Sequence, residues 1–490
     1  MLTPLKALRG VTSSSDKGVY ASSGTLFKGA VFGRDSLEVA EDLLNIKPHL
    51  VHHILITLAS LQGLHSSDIS EEEHGRIIHE YRSTLTDGKH LDEISQRIFN
   101  ELSSRWGGNN KEMAYYGSID ATPQFVRVVG MYCKLMGNSI MDQPVTRRDG
   151  RVVPFSHSVS FALDWVADKL ADSSSGLLEY HSRNVKGIEN QAWKDSREFY
   201  VHENGELANR DEPIASIEVQ GLAFDALIYG AKLFPSRAKE LKNEAKKLQN
   251  RTFELLWIPD EQYLALGVDH SPKGLIRPIK TITANPAELL NTSIFDNLPG
   301  KSKKQYLYAI VQQIMNTDFL TDGGVRSRSL KDSNLIKFWD YHGSFTSWPK
   351  ETYDIAKGLR RQGFPKLAEQ LENRILNVVH KSRSYPEFIY VNLAGKIMIG
   401  DPITKTHGEL SLIKSTNKPE TIQAWTVAAI IAIDHSRNKD VINPIKRQKF
   451  WQKRLENKIL SDIPDIQPLM NPEQLDAVYP DYQYKLVKHA

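Results

Sequence analysis

The segment NQAWKDSREFY, residues 190–200, places the carboxylic acid of Asp195 in aromatic surroundings. The neighbouring side chains of Trp193, Phe199 and Tyr200 would exclude water from the carboxyl group. Exclusion of water disfavours the charged form of an acid and raises its pKa. An acid with a raised pKa still carries a proton near neutral pH and can donate it to a leaving group. The segment therefore predicts a general acid at Asp195.

Polar and aromatic residues also form five short clusters, each of which stands just before a predicted helix. The clusters are FGRDS (32–36), YYGSIDATPQF (115–125), PIASIEVQG (213–221), YHGSFTSWPKET (341–352) and KPETIQAW (418–425). The N-terminus of a helix has free backbone N–H groups, which favour polar ligands. If the helices run roughly parallel, we expect the five clusters to share one rim. In the first cluster, the spacing of Asp35 and Glu38 also fits a helix cap and its reciprocal partner.

The elements that position these clusters are predicted to be mainly helices, because apolar residues recur at three- and four-residue spacing. Strongly apolar helices are predicted over 49–63, 123–137, 158–171, 219–234, 303–315, 351–364 and 424–434, and charged helices with one apolar stripe over 34–44, 92–102, 237–256 and 365–379. Apolar helices have to be enclosed by others, so we expect two concentric layers with the charged helices outside. Strand patterns near 176–181, 262–268 and 387–400 are too few for a parallel sheet and predict hairpins in loops.

Composition narrows the class of protein. The 490 residues are 40% hydrophobic and 25% charged, which is ordinary for a globular protein. A net charge of +3 is small for this length and favours neither a nucleic-acid nor a membrane partner. The single cysteine, Cys133, excludes an intrachain disulfide and fits a reducing compartment, so we expect a cytoplasmic protein. His49 and His53 have ligand spacing but lack an HExxH pattern, so no metal site is predicted.

The clusters, in their order along the chain, resemble those of the amylo-alpha-1,6-glucosidase type of glycoside hydrolase, the catalytic part of glycogen-debranching-like proteins. The resemblance extends over most of the chain through GRIIHEYR (75–82), NQAWKDS, DGGVRS (322–327), GLRRQGF (358–364) and YPEF (385–388). It implies an all-α fold, an (α/α)6 toroid of six helical hairpins with small β-hairpins in its loops. It also implies an enzyme that needs no cofactor.

Glycoside hydrolysis usually needs two carboxyl groups, one that protonates the leaving oxygen and one that activates water or attacks carbon. Asp195 is predicted to be the general acid. The related toroidal glycosidases invert configuration and carry their base late in the chain, which favours Glu387 in SYPEFIY. Glu351 and Glu420 remain alternative bases.

Several other residues in the clusters are predicted to bind the sugar. In the family, the pair that matches Arg34 and Asp35 is thought to bind adjacent hydroxyls of a terminal glucose, which favours exo action. The remaining predicted binding residues offer polar groups or aromatic faces to the sugar; they are Tyr116, Asp120, Trp193, Lys194, Glu218, Gln220, His342, Trp348, Gln423 and Trp425.

The chain also departs from the family pattern. Many relatives carry a β-sandwich ahead of the catalytic domain, whereas here we expect only a lead-in segment over residues 1–30. The catalytic domain is predicted over 31–435, and a C-terminal helix and strap over 436–490. Where the family often has His, Asp and Asn after a Trp-Pro pair, this chain has Lys350, Glu351 and Thr352. We therefore expect a different substrate preference and no binding of long polymers.

The expected function is inverting, exo-acting hydrolysis of a terminal alpha-linked glucose from an oligosaccharide or a small glucoside. A carbohydrate is thus the expected partner. Two alternatives remain open, a glycoside phosphorylase and a catalytically inactive sugar-binding protein. The aglycone and the oligomeric state are not predicted.

Overall fold

The computed structural model describes residues 1–15, 17–24, 26–331, 335, 340–399, 418–438 and 448–463. Its helices are α1 (Pro4–Val11), α2 (Gly33–Leu43), α3 (Pro48–Ser60), α4 (Glu93–Trp106), α5 (Ala121–Met136), α6 (Phe155–Asp172), α7 (Ile217–Leu233), α8 (Ala238–Leu256), α9 (Asn285–Glu288), α10 (Gly300–Ile314), α11 (Pro349–Gln362), α12 (Pro365–Ser382), α13 (Ala424–Asn438) and α14 (Phe450–Asp462). The helices predicted from the apolar periodicity are confirmed. In these described ranges, no helix is both long and apolar enough to cross a membrane.

The strands are short. They are β1 (Val31–Phe32), β2 (Glu80–Ser83), β3 (Leu85–Thr86), β4 (Lys89–His90), β5 (Glu112–Tyr115), β6 (Pro144–Thr146), β7 (Val152–Pro154), β8 (Ala215–Ser216), β9 (Trp257–Ile258), β10 (Tyr263–Leu264), β11 (Gly267–His270), β12 (Ile276–Ile279), β13 (Leu320–Thr321), β14 (Gly324–Val325), β15 (Thr346–Ser347), β16 (Ile389–Val391) and β17 (Ile397–Met398). The hairpin predicted over 387–400 is confirmed as β16 and β17, in which Tyr390 pairs with Met398. The strand predicted near 176–181 is wrong, since only Tyr180 forms a bridge, to Ile214.

Three small antiparallel sheets contain strands that lead directly into helices. They have the strand orders β1-β2-β5, β12-β11-β8 and β15-β16-β17. β1 runs directly into α2, β8 runs directly into α7, and only Trp348 separates β15 from α11. Each of these helices therefore begins at a point that a strand register sets, as in the pairing of Ser347 with Ile389.

Six helices contact one another in a closed series, which we call the inner series. In chain order these are α2, α5, α7, α9, α11 and α13; each contacts the next, and α13 contacts α2. The helices α1, α3, α6, α8, α10 and α12 pack against α13, α2, α5, α7, α9 and α11 respectively. Two sets of helices are thus present, and five of the six inner helices follow a predicted polar cluster.

The predicted division into apolar inner and charged outer helices is wrong for several elements. α2 has the sequence GRDSLEVAEDL and was expected outside, yet ten of its eleven residues are buried in the inner series. The strongly apolar α3 buries only one face and belongs to the second set. Hydropathy failed here because the charges of α2 are neutralised by partners on other inner helices.

Those partners form a buried ion-pair network between the inner helices. Arg127 of α5 pairs with Glu41 of α2 and, at 3.0 Å, with Asp225 of α7. Lys357 of α11 lies 3.1 Å from Glu41 and 2.6 Å from Asp42. Burial opposes the charge of Glu41, but Arg127 and Lys357 hold the pKa of that carboxyl well below its ordinary value. The network therefore links four helices of the inner series.

The helix ends follow local chemistry, with one correction. The side chain of Asp92 accepts the N–H of Ser95 at 2.9 Å and caps α4, which ends at Gly107 with a φ of 79°. Asp35 does not cap α2, because the N-cap residue is Phe32. The carboxylate of Asp35 instead accepts a hydrogen bond from Gln423. The predicted capping box at this position is therefore wrong.

The C-terminal helix predicted from the sequence appears as α14 and packs on α12. Glu456 of α14 accepts the backbone N–H groups of Lys366 at 2.6 Å and of Leu367 at 3.1 Å. This carboxylate thus bonds two free N–H groups in the first turn of α12. The predicted strap falls largely on residues 464–490, which lie outside the described residues.

Removal of Arg127 tests the contribution of the ion-pair network. We expect Arg127→Met to lower the free energy of unfolding by about 3–5 kcal/mol, because it leaves the buried charges of Glu41 and Asp225 without this partner. Urea unfolding monitored by circular dichroism measures the change. Arg151→Met is the matched control, since Arg151 is exposed in its pair with Asp149 and its loss should have little effect. Equal unfolding midpoints for the two variants would contradict the assigned role.

Candidate active site

The N-terminal ends of the inner helices meet, and polar contacts join three of the predicted clusters. Arg34, in the first turn of α2, donates to Asp120 in front of α5, with Nε–Oδ2 at 2.7 Å and Nη2–Oδ1 at 3.3 Å. Gln423, in front of α13, donates to Asp35 Oδ1 at 2.9 Å. Burial opposes the charge of Asp120, but Arg34 holds its pKa below the ordinary value. These contacts place the polar groups of Arg34, Asp35, Asp120 and Gln423 at one end of the inner series.

A wall of aromatic residues stands beside these groups. Trp193, Trp348, Phe388, Tyr390 and Trp425 form one buried cluster, to which Tyr341 adds. Trp348 is central, with ring centroids 5.5 Å from Trp193, 4.8 Å from Phe388 and 6.0 Å from Trp425. Flat apolar faces of this kind suit the C–H faces of a sugar.

His342 stacks on this wall, with its ring centroid 4.8 Å from that of Trp348. Burial lowers its pKa well below the ordinary value, and the charges of Lys194 and Arg34 act in the same direction. Both effects favour the neutral imidazole. Its Nδ1 accepts the N–H of Ser196 at 3.4 Å, which leaves the ring proton of the neutral form on Nε2. In that form His342 can donate through Nε2.

Asp195 lies on a loop at the edge of the aromatic wall and is partly exposed. Tyr341 donates its hydroxyl to Asp195 Oδ1 at 2.7 Å. Burial raises the pKa of Asp195, while the charge of Arg34 and the Tyr341 hydroxyl oppose the shift. Of the cations beside it in the sequence, Lys194 points to Glu351 and Arg197 lies 3.6 Å from Glu189. The positive charge that opposes the rise in the pKa of Asp195 therefore belongs to Arg34 on α2, not to a residue of the loop.

Glu387 precedes strand β16 and is also partly exposed. Its Oε2 accepts the backbone N–H of Glu420 at 3.1 Å. Burial raises its pKa to about 8; the Glu420 N–H opposes the shift, and the charges of Asp35 and Asp195 add to it. The charges of two other predicted site residues, Asp35 and Asp195, thus act on Glu387.

The two alternative bases are differently placed. Glu351 is fully buried, forms an ion pair with Lys194 and accepts the Ser327 hydroxyl at 3.1 Å. Glu420 accepts the Ser22 hydroxyl at 3.0 Å and the Leu26 N–H at 3.3 Å. Both carboxylates are thus held by the protein itself. Glu387, in comparison, accepts the Glu420 N–H through Oε2.

Three residues predicted to bind substrate direct their polar atoms to other groups of the protein. Lys194 is fully buried against Glu351 and donates to Asn285 at 3.0 Å. Gln220 bonds only to backbone groups of Leu178 and Ser216. Tyr116 donates to the carbonyl of Leu61 at 2.9 Å and accepts from Arg148 at 2.6 Å. Their types suggested ligand contacts, but the fold directs their polar atoms to protein groups.

A cavity continues from the site between the inner helices. Arg34, Asp120 and Trp193 form part of its wall. The other lining residues are mostly polar; they are Glu38, Glu41, Gln124, Arg127, Glu218, Leu222, Glu288, Asn291, Thr292, Lys350 and Asp354. The predicted binding residue Glu218 is therefore placed in this cavity.

Glu288 and Lys350 are site residues that the sequence analysis missed. Glu288 accepts the indole N–H of Trp193 at 2.7 Å and the Lys350 ammonium at 2.9 Å. Lys350 also lies 3.0 Å from Asp354 and 3.4 Å from Glu38. Glu288 belongs to a sixth cluster, TITANPAELL, which contains α9. The signal was available, but α9 has only four residues, too few for an apolar periodicity.

The described part of the chain holds no group of three or more His, Cys, Asp or Glu residues arranged to bind a metal ion. The polar groups at the site are instead carboxylates, cations, amides and indoles that contact one another. Such a set can bind hydroxyl groups and transfer protons.

Solved glycosidases share the fold of this chain. The GH63 mannosylglycerate hydrolase from Thermus thermophilus, in complex with Tris and D-glycerate, matches with a TM-score of 0.56 and 12% identity, over 89% of this chain and 100% of that one. In complex with glucose it matches with a TM-score of 0.54 and 13% identity, over 88% and 100%. A wild-type glycosidase matches with a TM-score of 0.51 and 11% identity, over 89% and 96%. No family model and no curated protein matches the sequence.

The raised pKa of Glu387 predicts a pH-dependent cost to stability. Between its ordinary pKa of 4.5 and the folded value of about 8, the folded carboxyl keeps a proton that the unfolded chain has lost. Stability therefore falls as the pH rises through this window. We expect Glu387→Gln to raise the thermal unfolding midpoint at about pH 9 and to leave it nearly unchanged at about pH 4.

Differential scanning calorimetry at the two pH values measures this effect. Glu203→Gln is the control, because Glu203 is exposed in a loop. A gain in stability that is the same at both pH values would contradict the assignment of a raised pKa to Glu387.

Proposed function

We propose that the protein is an inverting, exo-acting glycoside hydrolase that releases a terminal alpha-linked glucose from an oligosaccharide or a small glucoside. The observation that carries the proposal is that one aromatic cluster contacts both acids. Tyr341, which packs on the cluster, donates to Asp195 at 2.7 Å, and the indole N–H of Trp425 donates to the backbone carbonyl of Glu387 at 3.4 Å. The fold that this chain shares with solved glycosidases supports it. The closed inner series and its second set of helices favour an (α/α)6 toroid, with residues 31–435 as the catalytic domain.

Asp195 is assigned the role of general acid. Its raised pKa keeps a proton available, and the Tyr341 hydroxyl at 2.7 Å orients the carboxyl group. Transfer of that proton to the glycosidic oxygen lets the aglycone leave as a neutral alcohol while positive charge develops on the sugar ring. The charge of Arg34 favours the ionised form of Asp195 that remains after the transfer.

Glu387 is assigned the role of general base. In its ionised form it takes a proton from water as the water oxygen attacks the anomeric carbon from the face opposite the leaving group. This geometry inverts the configuration and requires the two carboxyl groups to lie roughly 6.5–9.5 Å apart. The repulsion between Asp195 and Glu387 favours a state in which only one of them is ionised.

The sugar is proposed to bind between the polar groups of α2 and the aromatic wall. Arg34 and Asp35 are placed in the first turn of α2 and can bind adjacent hydroxyls. Gln423 holds Asp35 through its side-chain amide, and Asp120 holds Arg34. A binding pair fixed in this way would select the end of a chain, which is the basis for exo action.

The electrostatics disfavour the alternative of a glycoside phosphorylase. Phosphate needs a cation, but Arg34 is paired with Asp120 and Lys350 is paired with Glu288 and Asp354. A phosphate at the position of the water would also face Glu387. Hydrolysis therefore remains the better proposal.

A second candidate substrate follows from the fold comparison. The match extends over the whole chain of a mannosylglycerate hydrolase, so a small glycoside with a hydroxy-acid aglycone belongs in the substrate panel. It would use the same acid and base. Only the contacts of the aglycone and of the sugar 2-hydroxyl would differ.

Substitution of the two acids tests the assignment of their roles. We expect Asp195→Asn and Glu387→Gln each to lower kcat by about 10²–10⁴-fold, because each removes one proton transfer. Steady-state hydrolysis of an alpha-glucoside measures kcat, and circular dichroism checks that each variant is folded. Asp68→Asn and Glu203→Gln, at exposed positions, are matched controls. Near-normal turnover in either active-site variant would remove that residue from its role.

The stereochemistry and the substrate class are tested together. We expect the first product released from an alpha-glucoside to be beta-glucose, as seen by proton NMR within the first turnovers. The panel should contain oligosaccharides, small glucosides and the glucosides and mannosides of glycerate. Alpha-glucose as first product would contradict inversion. Turnover only with added phosphate would establish the phosphorylase, and binding without any product would establish an inactive sugar-binding protein.

A further inference from the structure

The N-terminal part of the chain contacts the segment at the start of α13, close to the loop of the proposed base. Residues 21–24, which we call the N-terminal clasp, run beside residues 422–424. The Ala424 N–H donates to the carbonyl of Ala21 at 2.8 Å, and the Ser23 N–H donates to that of Ile422 at 3.2 Å. Two backbone hydrogen bonds therefore tie the clasp to the chain just before α13.

That segment is bonded in turn to the loop that contains Glu387. The Glu387 N–H donates to the carbonyl of Glu420 at 2.9 Å, and the Glu420 N–H donates to Glu387 Oε2 at 3.1 Å. The Tyr385 N–H donates to Thr421 at 2.9 Å, and the Gln423 N–H donates to Tyr385 at 2.8 Å. The carboxyl group of Glu387 is thus located by the backbone of Glu420.

The side chain of Glu420 points back to the clasp. Its Oε2 accepts the Ser22 hydroxyl at 3.0 Å, and its Oε1 accepts the Leu26 N–H at 3.3 Å. The fit is tight at Gly24, where an added Cβ atom would lie 1.5 Å from Glu420 Oε2. Any larger residue at position 24 must therefore displace this carboxylate.

We propose that Glu420 is a positioning residue for Glu387, held in place by the N-terminal clasp. The inference rests on the proposed function, because it assigns Glu387 as the base. The clasp fixes the side chain of Glu420, and the backbone of Glu420 fixes the Glu387 carboxyl. Glu420 is disfavoured as the base itself, since its Oε2 accepts a hydrogen bond from Ser22 of the clasp and its Oε1 accepts one from Leu26.

The charge of Glu420 has a separate effect from its position. The groups that act on Glu387 come from four elements: Asp35 on α2, Asp195 and Tyr341 on loops, and Glu420 before α13. Both Asp35 and Glu420 raise the pKa of Glu387, as does Asp195. Removing the charge of Glu420 alone should therefore make Glu387 easier to ionise.

Two kinds of substitution separate charge from position. Glu420→Gln keeps the shape and removes the charge, so we expect the acid limb of the pH profile of kcat/KM to move down by roughly 0.5–1 pH unit. Gly24→Ala keeps the charge and displaces it, so we expect kcat to fall roughly 10–100-fold with little change in KM. Ser22→Ala should change kcat in the same direction by a smaller factor.

Matched controls exist at open positions of the N-terminal part. A Cβ atom at Gly10 would meet nothing within 4 Å, so Gly10→Ala controls for Gly24→Ala. Ser14 is exposed and contacts Asp87 through its backbone N–H, so Ser14→Ala controls for Ser22→Ala. Equal kcat in the clasp variants and their controls would overturn the positioning role. Loss of all turnover in Glu420→Gln while Glu387→Gln stays active would show that Glu420 is the base.

A readout without activity separates this proposal from the proposed function. If the wild-type protein hydrolyses nothing in the panel, the proposed hydrolase fails, but the titration of Glu387 is still observable. Carbon-13 NMR of labelled glutamate carboxyl groups gives its pKa, with Glu387→Gln to assign the resonance. A lower pKa in Glu420→Gln than in wild type supports the coupling, and an unchanged pKa overturns it.

Discussion

Charges enclosed between helices have to be neutralised by one another, because an isolated charge away from water costs far more free energy than a small domain can supply. The inner series meets this constraint with pairs that cross from helix to helix. Arg127 joins Glu41 to Asp225, and Lys350 joins Glu288 to Asp354. Each pair needs its helices at one separation and one rotation. The same contacts that compensate the charges therefore also fix the geometry at the ends of the inner helices.

The neutralisation of buried charges is incomplete at the end of the inner series where the polar clusters meet. Asp35, Asp195 and Glu387 have raised pKa values although Arg34 lies among them, because burial and mutual repulsion outweigh its attraction. A protein built only for stability would not bring three such acids together. Proton donation to a bound leaving group requires an acid that holds a proton near neutral pH. The proposed hydrolytic chemistry and the local cost in stability thus have the same physical origin.

The fold tolerates wide changes in sequence, as the 12% identity to a mannosylglycerate hydrolase over its whole chain shows. What the helices need is a buried surface and matched charges, which many sequences can provide. Chemistry is more demanding, since it depends on individual atoms. For this reason the position of Glu387 relies on the N-terminal clasp, whose contacts with Glu420 bring together residues nearly the whole chain apart.

The sequence by itself determined the helices, the hairpin at 387–400 and the polar clusters, because periodicity and composition act over neighbouring residues. It also singled out Asp195 by its aromatic surroundings, and the resemblance to toroidal glycosidases favoured Glu387. Only the tertiary structure decided that the charged helix α2 belongs to the inner series, that Lys194 pairs with Glu351, and that α9 supplies Glu288. These outcomes depend on which partner each side chain meets across the fold, and the energy of a buried polar group is set by that partner, not by its neighbours in the chain.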